Sequence, residues 1–133
     1  MESDLDKYGR SNLHYAALDG DVDAVRRLIE DGQDVSLPDE SGWTPLHFAT
    51  QSGRPDVASC LIDAGADVEA PDEHGNTPLH RATFESKGNG EMIAMLRNAG
   101  ANPLQRNKHG VSPVSLARSI GNYDVAQFFV DVD

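Results

Sequence analysis

The 133-residue chain holds 22 acidic and 11 basic residues, a net charge of −11, with 38% hydrophobic residues and one cysteine. Cys60 alone cannot build a disulfide framework or a cysteine zinc site, and no apolar run approaches the length of a membrane span. Up to Glu73 there are 17 acidic and 5 basic residues (−12), and from His74 onward 5 acidic and 6 basic (+1). Such a field repels nucleic acid phosphates and anionic lipid, and it steers basic proteins toward the acidic half. Residues 1–6 have neither a basic start nor an apolar stretch, so a soluble cytoplasmic protein, monomeric when free, is expected.

Four glycines, Gly9, Gly42, Gly75 and Gly110, lie 33, 33 and 35 residues apart. Two residues after each comes a related tetrad: Ser11-Asn12-Leu13-His14, Thr44-Pro45-Leu46-His47, Thr77-Pro78-Leu79-His80 and Ser112-Pro113-Val114-Ser115. A fixed period of this length predicts stacked copies of one small unit, at about 6–38, 39–71, 72–106 and 107–133.

In the first unit, Leu13 opens a short helix and a second carries Val22, Val25, Leu28 and Ile29 before Gly32 ends it. The second unit is the clearest. Gly42 suits a turn needing positive φ, Thr44 an N-cap and Pro45 the first helical position. Its second helix starts at Pro55, carries Val57, Ala58, Leu61 and Ile62, and ends at Gly65. The third repeats this plan with Met92, Ile93 and Leu96 before Gly100, but has two extra residues. These fall within residues 85–90, whose glycines suggest a flexible tip. The fourth unit ends in Tyr123, Val125, Phe128 and Phe129. Asn12 and Ser115, which replace proline and histidine in the outer units, fit end caps with a neighbour on one side only.

These tetrads, with Ala64-Gly65-Ala66-Asp67 and its variants closing the second helices, resemble the ankyrin-repeat family over essentially the whole chain. The resemblance implies an all-α solenoid of four helix-turn-helix repeats with projecting hairpin-like loops, and a protein-binding role. Residues 107–113 and 123–129 are also similar to small bacterial ankyrin proteins, some of which are immunity partners of secreted toxins.

Histidines at 14, 47 and 80 invite a metal or acid–base reading. They occupy the same slot of successive units, on the order of 10 Å apart, too far to share one zinc ion. In the family this imidazole hydrogen-bonds within and between repeats. No Gly-x-Ser-x-Gly, phosphate-cradling glycine loop or His-Glu-x-x-His occurs, so neither catalysis nor a cofactor is expected.

In the family, the loop tips and first helices line a concave binding face. The candidate tip residues are Tyr8, Arg10, Glu40 and Trp43, followed by Glu73, His74 and Asn76. Phe84 and Glu85 add the end of the third unit's first helix. Trp43 stands out because its slot elsewhere holds Arg10, Asn76 or Val111, and aromatic side chains are the usual anchors of interfaces. Arg81 is the odd residue of the inner units, placed where Tyr15 and Phe48 sit. The expectation is a basic protein partner, most concretely a toxin domain, with a generic adaptor as the alternative.

Overall fold

The computed structural model describes residues 5–132. Residues 1–4, part of the stretch read above for a leader, and Asp133 lie outside the described residues. Among the described residues seven α-helices follow in order: α1 (Asn12–Asp19), α2 (Val22–Glu30), α3 (Pro45–Ser52), α4 (Pro55–Asp63), α5 (Pro78–Glu85), α6 (Glu91–Asn98) and α7 (Pro113–Ser119). A 3-10 helix, Val125–Phe129, closes the chain. Among the described residues no strand forms. The first helices α1, α3, α5 and α7 pack side by side in one layer, and α2, α4 and α6 form a second layer behind them. The fold is the all-α solenoid that the period predicts.

Each first helix starts by one local device. Ser11, Thr44, Thr77 and Ser112 take extended backbone at the N-cap and form a capping box with His14, His47, His80 and Ser115. The hydroxyl accepts the backbone N–H three residues on, and that residue's side chain accepts the N-cap N–H, satisfying two donors the helix start leaves orphaned. Proline at the first position of α3, α5 and α7 has no N–H to satisfy.

Between the layers, Leu13, Leu46, Leu79 and Val114 of the motifs meet Val25, Val57, Leu61, Ile93 and Leu96 of the second helices, all essentially without solvent exposure. Each such side chain contributes roughly 1.5–3 kcal/mol of burial. The core is therefore a row of neighbour contacts, as a quasi-one-dimensional stack requires.

Two features differ from the simple reading. The last unit has no second α-helix, only the five-residue 3-10 turn. Val125, Phe128, Phe129 and Val130 are β-branched or aromatic and lose side-chain freedom in a helix. Arg97 of α6 holds this segment instead, donating to both carboxylate oxygens of Asp131 (2.8 and 2.6 Å) and to the Phe128 carbonyl (2.9 Å).

The second difference is the insertion. Its glycines read as a flexible tip, and in the structure one of them, Gly90, also leaves space that the Phe128 ring fills. A Cβ on Gly90 would lie 2.3 Å from the Phe128 ring, and one on Gly88 would lie 3.4 Å from Tyr123.

Candidate functional site

The four tips share one construction. The side-chain oxygen of Asp6, Asp39, Asp72 or Asn107 accepts the backbone N–H groups two and four residues on, all at 2.8–3.0 Å. Neighbouring tips are then tied by single backbone bonds: Glu40 N–H to the Tyr8 carbonyl, Glu73 to Ser41 and Lys108 to His74. This closeness is why two marker glycines are needed. Gly42 and Gly75 have positive φ, and a Cβ there would meet the next tip's backbone at 2.8 and 2.9 Å.

Beneath the tips run the motif histidines. Each Nδ1 accepts its N-cap N–H, so the neutral imidazole donates from Nε2 to a carbonyl of the next unit. His14 reaches Trp43 (3.1 Å), His47 reaches Asn76 (3.0 Å) and His80 reaches Val111 (2.8 Å). Burial pushes all three imidazoles below their ordinary pKa, against the opposing pull of those carbonyls. Their nitrogens are used up in capping their own helices and holding units together, and among the described residues no group of three or more His, Cys, Asp or Glu could hold a metal ion.

Above this layer an alternating cation–aromatic ladder crosses the units. Arg10 of the first tip lies over Phe48 of α3 at 5.1 Å, and over Tyr8 at 4.8 Å. Phe48 meets Trp43 at 5.0 Å, Arg81 of α5 lies over Trp43 at 5.1 Å, and the same guanidinium lies 5.5 Å from the Phe84 ring. Each junction pairs the tip residue of one unit with the first-helix residue of the next. At the first junction the tip supplies arginine and the helix the ring. At the second, Trp43 and Arg81 exchange those roles. Arg81 is odd only by itself; it is the complement of Trp43.

At the third junction the corresponding residues are Asn76 and Leu116, neither a cation nor a ring. There the face opens into a groove of about 320 Å³ lined by Asn76, Arg81, Phe84, His109, Val111 and Leu116, among others.

The candidate residues fall into distinct situations. Tyr8 and Phe84, the ladder's ends, are 45% and 61% exposed. Trp43 is half-buried between Arg81 and the Phe48 and His47 rings. Arg10 is bonded to the turn-bracing Asp39 at 3.1 Å. Glu85 pairs with Arg81 at 3.4 Å, and Glu73 lies 3.3 Å from His74 Nε2. His74 in turn sits beside His109, ring centres 6.3 Å apart. Asn76 accepts from the Asn107 amide at 2.8 Å. Glu40 is exposed, with no ion pair among the described residues. Leu116 was not among the candidates. The signal for it was the variability of its slot, which holds Tyr15, Phe48, Arg81 and Leu116 in turn.

Residues 13–107, well over half of the chain, match a family model described as ankyrin repeats (3 copies). No curated protein matches the chain with significance.

Proposed function

Because the chain belongs to the ankyrin-repeat family, a family of protein-interaction modules, we propose that it binds a partner protein through its concave face, without catalysis. The observation that carries this reading is the ladder, which fixes polar and aromatic side chains across the tips and leaves Tyr8 and Phe84 exposed at its two ends. Rigid aromatic side chains bind with little further loss of conformational freedom. Tyr8 and Phe84 are the apolar anchors, with Trp43 and Arg10 setting their positions. Glu40, Glu73, His74, Asn76 and Glu85 supply the polar rim.

The partner in this reading is basic. The −12 of residues up to Glu73 supports that choice, since acid-on-base association gains rate and specificity from charge. Its most specific form is an immunity protein that covers the nucleic-acid-binding surface of a basic toxin in a bacterial cytoplasm. A general adaptor is the second reading. It is favoured by the exposed acids of the second helices, Asp23, Glu30, Asp56 and Asp63, which lie away from the tips.

Affinity capture from the native cytosol at low and high salt tests the basic-partner reading. The partner should be held at low salt and largely lost near 0.5 M, where charges separated by more than a few ångströms are screened. Equal retention at both would overturn the charge-matched mechanism.

A further inference from the structure

The lapse of the ladder at the third junction leaves a groove whose polar edge includes the Asn76 amide and the Arg81 guanidinium, both donors. Among the described residues, the Asn76 side-chain amide nitrogen has no partner, because the side chain is engaged only through Oδ1, which accepts from Asn107. Arg81 is held between the Trp43 and Phe84 rings with 23% of its side chain exposed. Glu85 occupies only its Nη1, at 3.4 Å, the long limit of such a bond. Two acceptors of the lining are already used: Asn107 Oδ1 takes the His109 and Val111 N–H groups, and the Val111 carbonyl takes His80. The floor is apolar, formed by Phe84, Val111 and Leu116.

From this arrangement we infer that the groove takes one acidic side chain of the partner together with the apolar residue beside it. The carboxylate lies against Arg81 and Asn76, and the apolar side chain covers Phe84 and Leu116. A guanidinium whose plane is already fixed by two rings is suited to a carboxylate, which it can grip at two oxygens. The regional charge agrees. The chain from His74 onward is +1, while residues up to Glu73 are −12, so a partner's acid is repelled from the first two units and admitted at the third and fourth. The inference rests on the concave-face reading and gives that face a polarity. Basic groups of the partner meet the first half, and an acid beside an apolar residue meets the second, which fixes the partner's direction along the stack.

Capped hexapeptides with Phe-Glu at the centre, and counterparts with Phe-Gln or Phe-Lys, probe the groove directly. Binding is followed by the fluorescence of Trp43, the only tryptophan and a direct neighbour of Arg81, and by calorimetry. The Phe-Glu peptide should bind about tenfold more tightly than the Phe-Lys peptide, the worth of one charge-assisted contact. Arg81→Gln should abolish that preference. Asn76→Asp keeps the acceptor for Asn107, leaves the ladder intact and replaces the donor with a carboxylate, so it should reverse the preference. Phe84→Ala should weaken all three peptides together.

Equal binding of the three peptides, a preference for lysine, a glutamate preference that survives both Arg81→Gln and Asn76→Asp, or no saturable binding would each overturn the inference. None of these results requires the native partner. They would therefore leave the concave-face reading standing, and that reading fails separately if partner capture is indifferent to the face.

Discussion

Trp43 and Arg81 belong to different units, yet each explains the other. Trp43 fills a slot that the first tip gives to arginine, and Arg81 fills a slot that α3 gives to phenylalanine, so the cation and ring are exchanged between one junction and the next. Replacing Trp43 by alanine therefore removes contacts to Phe48, His47 and Arg81 at once. The expected cost is about 2 kcal/mol, read by urea denaturation. A double-mutant cycle with Arg81→Gln should show coupling of about 0.5–1 kcal/mol; zero coupling would mean that the stack contributes nothing. Gly42→Ala is the harsher backbone change, combining a positive φ with a Cβ 2.8 Å from Asp72 Cα. It should cost on the order of 2 kcal/mol or more. Residue identity alone could flag Arg81 as unusual, but not say why, because its partner lies in the preceding unit.

Elements differ in how much of their construction is local. The starts of α3 and α5 are legible in Thr-Pro-Leu-His itself, since the N-cap, the proline and the histidine acceptor lie within four consecutive residues. The residue 85–90 insertion is not legible in that way. The need for Gly90 shows only when Phe128, a full repeat later, is placed against it. The last unit's second helix is not legible either: its apolar pattern is present, but its β-branched and aromatic residues settle into a 3-10 turn. Because Arg97 carries that segment through Asp131 and the Phe128 carbonyl, Arg97→Ala should release it. Hydrogen exchange should then quicken across residues 123–132 while α1 to α4 keep their protection. Uniform quickening throughout the molecule would show that the clamp supports the whole stack.

Across the whole molecule, three buried neutral histidines link the four units in series. Unfolded imidazoles titrate near 6.5, while burial holds the folded ones lower. Between that value and the lower folded values, the unfolded chain binds more protons than the folded one. The histidines' contribution is therefore complete above about pH 6.5 and is lost as the pH falls through that window, at up to about 4 kcal/mol per pH unit if all three act together. Midpoints of denaturant unfolding measured between pH 7.5 and 5 check this. A stability that is flat over that range would contradict the buried neutral ladder.

In the proposed mode of binding, the partner is read on the tips and first helices, not on the second helices. The most direct measurement is the affinity of the captured partner for a Tyr8→Ala/Phe84→Ala protein beside a Glu30→Gln/Asp56→Asn control on the second layer. The exposed anchors should cost at least tenfold in Kd, the effect of losing about 1.4 kcal/mol at a hot spot, while the control stays within about twofold. Loss of binding in the second-layer control, with the tip variant unaffected, would place the partner on the second helices instead.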